Sequence, residues 1–310
     1  MNRGSLTSAR RLLCLTLATV ALAACATAQK YGPNKPEWTT PLAPFRIADN
    51  LYYVGSQDLA SYLIVTPAGD ILINSSLTSS PPLIRRSIEQ LGFHLRDVKI
   101  LLISHAHFDH DAGSAEILRL THARYMAMEG DVRNVETGGA TDFAYPGDRY
   151  PPAHVDRILH DGDQVRLGGV VLTAHKTPGH TRGCTTWTMR ATLDGKPRNV
   201  VIVGSWNVNS SYRLVDRPHR PASYPGIAAD YERGFAVLKA LPCDIFLGAH
   251  GSYFDMLAKL ARARAGEGEK VWIDPEGYRS ALAERQQAFE AELKKQQAEP
   301  PTRLQTPRTP

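Results

Sequence analysis

Ser104-His105-Ala106-His107-Phe108-Asp109-His110-Asp111 places three histidines and two aspartates within eight residues. The apolar run Val98–Ile103 directly precedes this stretch and is typical of a strand buried on both faces. Gly113 and the helical pattern Ser114–Leu120 follow, so the stretch is predicted to be a loop between a strand and a helix. Open sheets place their chemistry at the carboxyl ends of strands. Because imidazole and carboxylate groups suit zinc, this loop predicts a metal site.

Two further histidines follow predicted strands elsewhere in the chain. His180 lies in Pro178-Gly179-His180, after the strand Val170–Ala174, and His250 ends the apolar segment that starts at Cys243. A polar surface loop would be the simpler interpretation of any one histidine alone. Together the residues predict two sites, one of His105, His107 and His180 and the other of Asp109, His110 and His250. Each site leaves a coordination position for water, as a catalytic zinc requires.

The order and spacing of these residues resemble the metallo-β-lactamase superfamily pattern: His-x-His-x-Asp-His, then Pro-Gly-His, then a distant histidine after a strand. From about Trp38 to Tyr253 the chain is more specifically similar to the subclass B3 metallo-β-lactamases. The segments that carry this narrower resemblance are Gly138–Phe143, Tyr150–Ala153, Asp156–Ile158, Thr173–His175, Pro178–Thr181, Asp230–Phe235 and Leu241–Asp244.

The resemblance implies hydrolysis of the β-lactam amide bond of antibiotics, and hence resistance to them. The attacking hydroxide would be held between two Zn²⁺ ions, so all six ligands would belong to the catalytic centre, and Asp109 would also orient the nucleophile. Ser205 and Asn207 would bind the carboxylate of the drug, and Asn209 or Tyr212 would approach its carbonyl oxygen.

Ser205 is the position that separates hydrolase types within the resemblance. Related thioesterases, lactonases and phosphodiesterases carry Gly-Asp after the corresponding strand, and that aspartate bridges the two metals. Here the strand Asn199–Val203 ends in Gly204-Ser205, as in subclass B3 enzymes. The serine favours a β-lactamase. Another dinuclear zinc hydrolase of the same fold, a lactonase or a thioesterase, remains the alternative, followed by a non-enzymatic metal-binding envelope protein.

The order of predicted elements favours a mixed α/β fold. Three strands come first, Leu51–Val54, Ser61–Val65 and Asp70–Asn74, followed by a helix at about Pro82–Leu91 and the strand before the metal loop. A second set of strands spans residues 157–204, and a helix from Ala228 to Leu241 precedes the strand that ends at His250. This order predicts a four-layer αβ/βα sandwich, with two sheets back to back and helices outside. An amphipathic helix from Ala281 to Lys295 is expected to dock on it.

The two ends of the chain are predicted to lie outside this domain, which we expect to span residues 29–297. Residues 1–28 contain three arginines and a short apolar run, the pattern of an export signal. Cleavage before Cys25 would give a lipid-anchored protein, whereas cleavage after Ala28 would release a soluble one. Either route leads to the periplasm. The Pro-rich tail, residues 298–310, is predicted to be disordered.

Charge and cysteine content narrow the possible partners. The formal charge of +5 falls to +2 without residues 1–28, which contain three arginines and no acid. A nearly neutral chain without a basic stripe does not predict nucleic-acid binding, and we expect a monomer that acts on small molecules. Cys184 and Cys243 could pair in an exported protein, or remain buried free thiols.

Overall fold

The computed structural model describes Met1 and residues 35–299. The predicted export signal with Cys25 therefore lies outside the described residues, as does nearly all of the predicted tail. Within the described part, no helix combines the length and the apolar character that a membrane crossing needs.

The first sheet contains the metal-loop strand in its middle. Its strands run in chain order, β1 (Phe45–Ala48), β2 (Leu51–Tyr53), β3 (Tyr62–Thr66), β4 (Gly69–Ile73), β5 (Val98–Leu102), β6 (Arg124–Met128) and β7 (Arg157–Leu159). Strands β1 to β4 are antiparallel, whereas β4 to β7 are parallel. The carboxyl ends of β4, β5 and β6 consequently meet at one edge, and the predicted metal loop leaves β5 there.

The second sheet has five strands in the order β8 to β12. They are β8 (Gln164–Leu167), β9 (Val170–Lys176), β10 (Thr185–Leu193), β11 (Lys196–Val203) and β12 (Ile245–Gly248). All neighbours are antiparallel except β11 and β12, which are parallel and pair Val203 with Gly248. Ser205 and His250 therefore follow adjacent strands at the same edge of this sheet.

Helices cover the outer faces of both sheets. The α helices are α1 (Pro81–Gln90), α2 (Phe108–Asp111), α3 (Ser114–Thr121), α4 (Val132–Glu136), α5 (Ile227–Ala240), α6 (Met256–Arg262) and α7 (Pro275–Ala298). Other helical turns span Pro36–Trp38, Leu95–Asp97, Gly251–Phe254, Ala263–Glu267 and Gly268–Trp272. Helix α7 begins at Pro275 after Asp274, whose side chain accepts a hydrogen bond from the Gly277 amide at 2.8 Å.

Two apolar clusters define the layers. One fills the space between the sheets and continues under α5 and α7, and it contains Ile71, Ile100 and Val201. The other lies between the opposite face of the first sheet and the helices α1 and α3, around Leu72 and Leu101. The predicted four-layer αβ/βα sandwich is confirmed.

One side chain joins the two sheets next to the predicted metal loop. Trp187 of β10 is 1% exposed, and its indole N–H donates to the Ile103 carbonyl at 3.1 Å. A buried indole of this size contributes a large apolar contact area, and its N–H needs a partner. Trp187 therefore fixes the end of β5 against the second sheet.

Cys184 and Cys243 are both free thiols, so the unpaired alternative is confirmed.

Candidate metal centre

The loop after β5 is held in place by side chains from neighbouring strands. The Ser104 amide donates to the Asn74 side chain at 2.8 Å, just past the end of β4. His107 has extended backbone angles and immediately precedes the short helix α2, in which Asp109 and His110 lie. The backbone is extended up to His107 and helical after it, so the side chains before and after this change point in different directions. One short segment can therefore supply donors to two neighbouring metal positions.

Asp131 connects this loop to the loop that carries His180. Its carboxylate accepts the Ala106 amide at 2.9 Å, the Thr181 hydroxyl at 2.8 Å and the Gly183 amide at 2.8 Å. Asp131 is 3% exposed, and burial raises its pKa to about 6, although these three hydrogen bonds act in the opposite direction. One buried carboxylate thus fixes the relative position of two predicted ligand loops.

The Pro178-Gly179-His180 turn depends on a glycine. Gly179 has φ +129°, and a Cβ atom there would lie 2.6 Å from the ring of Tyr231. His180 follows, and its Nδ1–H donates to the Asn207 carbonyl at 2.8 Å. This bond fixes the tautomer and leaves the Nε2 lone pair of His180 available as a ligand.

His105, His107 and His180 converge as the sequence predicts. One donor atom from each lies within 4.8 Å of the others, and all three residues are buried. Burial lowers the pKa of His107 to about 4 and of His180 to about 3, and it lowers that of His105 well below the usual range. Among the described residues, His105 Nε2 has no hydrogen-bond partner. The trio therefore presents neutral imidazoles, the form that binds metal.

Asp109, His110 and His250 form the second predicted trio. His110 Nε2 and His250 Nε2 are 3.2 Å apart, and Asp109 Oδ2 lies 3.5 Å from each. Donor atoms that share a tetrahedral zinc ion at ~2.0–2.2 Å are about 3.3–3.6 Å apart. The two 3.5 Å spacings fit that range, and the 3.2 Å spacing is slightly shorter. His105 also lies within 4.8 Å of Asp109 and His110, so the two trios adjoin.

A carboxylate behind the second trio orients His250. Its Nδ1–H donates to Asp58 Oδ2 at 2.9 Å, and the Trp38 indole donates to the same oxygen at 3.0 Å. The Ser252 amide donates to the other oxygen, Asp58 Oδ1, at 2.9 Å. Metal-bound histidines typically donate their second N–H to a carboxylate in this way. His250 is thus oriented with Nε2 toward Asp109 and His110.

The charges of the second trio are strongly coupled. Burial opposes ionisation of Asp109, but the imidazoles of His110 and His250 outweigh it and hold its pKa far below the usual range. Burial also lowers the pKa of His250, yet Asp109 and Asp58 raise it to about 9. His110 has a pKa of about 3 because burial outweighs the attraction of Asp109. The ionised Asp109 carboxylate therefore lies beside the two imidazole nitrogens as the negatively charged donor of this trio.

Both trios open into one cleft of about 540 Å³. Four of the proposed ligands, His107, Asp109, His180 and His250, line it. The other lining residues are Lys35, Trp38, Asp58, Ala144, Tyr145, Asn207, Asn209, Ser210, Ser211, Ser252 and Tyr253. Lys35 is the one lysine or arginine among these described lining residues. Its ammonium lies 5.2 Å from the centre of the Trp38 ring, which in turn lies 5.9 Å from the His250 ring.

Of the four residues predicted to bind substrate, two line the cleft and two are buried behind its lining. Asn207 and Asn209 line the cleft, and Asn209 Nδ2 donates to the Tyr145 hydroxyl at 2.7 Å. Ser205 is 3% exposed, and its hydroxyl lies 3.0 Å from the Tyr253 hydroxyl rather than among the lining atoms. Tyr212 is 2% exposed, and its hydroxyl donates to the His180 carbonyl at 2.7 Å. The geometry therefore gives Tyr212 a role in supporting the His180 turn.

Three supporting residues were not identified from the sequence. Asp58 and Asp131 lie in segments without a recognisable motif, and their partners are distant in the chain. Tyr253 receives a hydrogen bond from Asn207 Nδ2 at 3.0 Å and contacts Ser205. Its position three residues after His250 was the one available signal, because residues that follow a ligand often support the same site.

Comparison with protein families gives one match to the described domain. The model of the metallo-β-lactamase superfamily matches residues 59–191, which include five of the six proposed ligands. Among curated proteins, the hydroxyacylglutathione hydrolase of Methylobacterium sp. strain 4-46 is 35% identical over 95 residues. That match covers 31% of this chain and 29% of the relative, so the chain spans under a third of the length of that relative.

Solved structures match much more of the chain. The native FEZ-1 metallo-β-lactamase from Legionella gormanii is 51% identical, with a TM-score of 0.81 over 84% of this chain and 98% of that chain. The class B3 di-zinc metallo-β-lactamase LRA-12 from an Alaskan soil metagenome is 36% identical. Its TM-score is 0.76, and the match covers 86% of this chain and 99% of that chain.

Proposed function

The chain belongs to the metallo-β-lactamase superfamily, in which it groups with the subclass B3 enzymes, and we therefore propose that it hydrolyses the amide bond of β-lactam antibiotics. The observation that carries the proposal is the convergence of two donor trios in one cleft, within a fold shared over nearly the whole of a β-lactamase. The class of reaction is metal-assisted hydrolysis.

We propose that the cofactor is a pair of Zn²⁺ ions. His105, His107 and His180 would hold one ion, and Asp109, His110 and His250 the other. The donor chemistry fits, because five imidazoles and one carboxylate suit zinc better than they suit calcium or magnesium. When bound, the metals lower the pKa of water toward ~7 and polarise a carbonyl group.

The protein contributes by holding these donors rigidly in the correct protonation state. The Asn207 carbonyl and the Asp58 carboxylate fix His180 and His250, so neither ring needs to reorient on binding. The low pKa of Asp109 keeps it ionised at neutral pH. Its carboxylate can therefore accept a hydrogen bond from the attacking water as well as bind metal, which positions the nucleophile.

Lys35 is the group in the cleft that suits the carboxylate of a β-lactam. Ser205 is engaged with Tyr253 below the lining, whereas the Lys35 ammonium lies at the cleft against the Trp38 ring. A charge-assisted contact from an ammonium is stronger than one from a neutral hydroxyl. We therefore assign recognition of the drug carboxylate first to Lys35, with Asn207 as a second donor.

The Ser205 position supports β-lactam hydrolysis over thioester hydrolysis. Among the two trios, Asp109 is the one carboxylate, and Ser205 does not add a second negative group. The centre therefore stays more electrophilic than one with a bridging aspartate. The curated hydroxyacylglutathione hydrolases match only a limited part of this chain, whereas the β-lactamase structures match over 84% of it or more.

A substrate panel tests this function directly. The zinc-loaded protein would be assayed with a chromogenic cephalosporin, a carbapenem, a hydroxyacylglutathione thioester and a homoserine lactone. We expect turnover of the β-lactams that a chelator abolishes, with at most weak turnover of the other two. Preferential turnover of the thioester or the lactone would assign the protein to another hydrolase type of the same fold.

The remaining sequence predictions extend this proposal. We propose that residues 1–28 direct export to the periplasm, either with a lipid on Cys25 or as a soluble monomer. Labelling of the full-length protein with a fatty acid in an exporting bacterium distinguishes the two routes. Incorporation that Cys25→Ser abolishes would identify the lipoprotein, and the absence of label in the exported protein would identify the soluble form.

A further inference from the structure

A second cavity lies behind the wall of the metal cleft. It has a volume of about 570 Å³, close to the 540 Å³ of the cleft itself, and it separates the segment 206–210 from helix α7. Asn207, Asn209 and Ser210 line both spaces. The segment 206–210, which we call the partition, therefore has one cavity on each side.

The second cavity combines an apolar lining with an excess of positive charge. Trp206 and Phe289 border it but are only 2% exposed, and Val208 and Ala288 contribute further apolar surface. On α7, Glu292 is neutralised by Lys295, 3.0 Å away, and also accepts the Gln296 amide. Among the residues that the structure describes, the one ion pair of Arg285 is a 3.9 Å contact to Glu284 at the surface, where such a pair contributes little. The cavity thus suits a ligand with a flat apolar body and a negative group.

The partition contains polar atoms that the present arrangement does not satisfy. Trp206 Nε1 and Asn207 Oδ1 are both buried, and neither has a hydrogen-bond partner among the described residues. A buried polar atom without a hydrogen-bond partner is energetically unfavourable. The two atoms belong to adjacent residues of the partition, so an arrangement that gave either one a partner would be favoured over the present one.

Any shift of the partition reaches a proposed metal ligand. The Asn207 carbonyl accepts hydrogen bonds from His180 Nδ1 at 2.8 Å and from the Tyr231 hydroxyl at 2.6 Å. Movement of Asn207 would therefore change the orientation of the His180 imidazole. The partition borders both cavities, and its hydrogen bond from the Asn207 carbonyl to His180 connects it to the candidate metal centre.

We propose that the cavity between the partition and α7 is a second ligand site, separate from the metal cleft, which takes small aromatic carboxylates or sulfonates. Occupation of this site is coupled to the metal centre through Asn207 and His180. The site follows from the cavity, its charge and the unsatisfied atoms, so it does not depend on which bond the metal cleft hydrolyses. The coupling rests on the proposed role of His180 as a metal ligand.

Binding of the fluorescent aromatic sulfonate 1-anilinonaphthalene-8-sulfonate to the folded, zinc-loaded protein tests the site. We expect saturable binding at one site, weakened about tenfold by Arg285→Ala, a loss of roughly 1.4 kcal/mol. Ala288→Glu, which adds a negative charge to the lining, should weaken binding further. The matched controls on the same helix are Arg279→Ala and Ala283→Glu, both at exposed positions outside the lining. Binding that is absent, or equally affected by the control substitutions, would overturn the site.

The coupling is tested by the same titration with and without zinc. By linkage, a dye that changes zinc affinity through His180 must itself bind with a different Kd in the zinc-loaded and the metal-free protein. We expect a difference of at least threefold between the two metal states. Equal dye affinities in the two metal states would refute the coupling. Because no β-lactam is used, failure here is distinguishable from failure of the proposed reaction.

Discussion

Asp109 is the residue on which the proposed second metal site most depends. It is the one carboxylate in the two trios, and two imidazoles hold its pKa far below the usual range. Asp109→Asn keeps the shape but removes the negative charge that attracts a second cation. We predict that this variant retains one zinc ion, loses the other and turns over β-lactams about 10²-fold more slowly.

Metal analysis and steady-state kinetics on the same preparation check this prediction. Asp194→Asn is the matched control, because Asp194 lies at the tip of the hairpin between β10 and β11 and is exposed. Unchanged turnover in Asp109→Asn, with two zinc ions still bound, would show that Asp109 is not a ligand.

Ser205 follows β11 close to the candidate metal centre, but we expect it to contribute little to substrate binding. Its hydroxyl contacts Tyr253, which keeps a second partner in the Asn207 side chain. Ser205→Ala should therefore retain both zinc ions and raise KM by no more than about fivefold, since one neutral hydrogen bond is worth about 1 kcal/mol. Measured zinc content decides the point: loss of a metal from this variant would place Ser205 in a coordination shell.

Lys35 is the residue that we expect to determine affinity for the substrate carboxylate. Lys35→Ala should raise KM for a β-lactam about fivefold while kcat changes little, because an exposed charge contact is worth about 1 kcal/mol and is made before the reaction begins. Lys35→Arg, which keeps the charge, should restore most of the affinity. A rising KM with added salt in wild type but not in Lys35→Ala would support the assignment, whereas an unchanged KM in Lys35→Ala would reject it.

Asp131 joins the loop after β5 to the turn that carries His180. Its folded-state pKa of about 6 lies above the ordinary value, mainly because of burial. Its contribution to stability is therefore complete below the unfolded pKa and is lost as the pH rises through about 6. Asparagine cannot accept all three hydrogen bonds, and it does not titrate. We predict that Asp131→Asn destabilises the metal-free protein, and more strongly at pH 5 than at pH 8.

Urea unfolding of the metal-free wild type and Asp131→Asn at several pH values measures this difference. The other buried carboxyl groups are present in both proteins, so their titration largely cancels in the comparison. A difference in unfolding free energy that stays constant, or that shrinks as the pH falls, would contradict the role given to Asp131.

Most of the elements could be predicted because their sequence patterns are local. The apolar run before the metal loop corresponds to β5 (Val98–Leu102), and the predicted helix at 228–241 corresponds to α5 (Ile227–Ala240). The amphipathic helix predicted at 281–295 extends to Pro275–Ala298, since Asp274 and Pro275 start it a turn and a half earlier. Boundaries differ where a cap, and not the apolar pattern, determines the end of an element.

The supporting contacts of the centre could not be predicted because they are long-range. Asp58 precedes β3, yet it binds His250, 192 positions later in the chain. For Tyr212, in contrast, the sequence predicts a substrate contact that the fold does not provide. Its position in the loop after β11 favours a substrate contact, but the folded loop directs its hydroxyl to the His180 carbonyl. A motif identifies donors, whereas only the fold determines which polar groups remain to face a substrate.

The candidate centre depends on the packing of the two sheets. His105, His107, Asp109 and His110 follow β5 of the first sheet, whereas His180 and His250 follow β9 and β12 of the second. Each trio takes donors from both sheets, so neither half contains a complete site. Hydrogen bonds of Trp187 and Asp131 connect segments of the two sheets next to the candidate centre. The geometry of the ligands therefore depends on how the core packs.

A zinc titration of the metal-free protein, followed by hydrolysis of a carbapenem and a chromogenic cephalosporin, tests whether the candidate centre is a zinc-dependent β-lactamase site. We predict no turnover without metal, turnover that rises with added zinc until two equivalents are bound, and complete loss with a chelator. Turnover that persists without metal, or a fully zinc-loaded protein that hydrolyses neither drug, would contradict the proposal that this chain is a zinc-dependent β-lactamase.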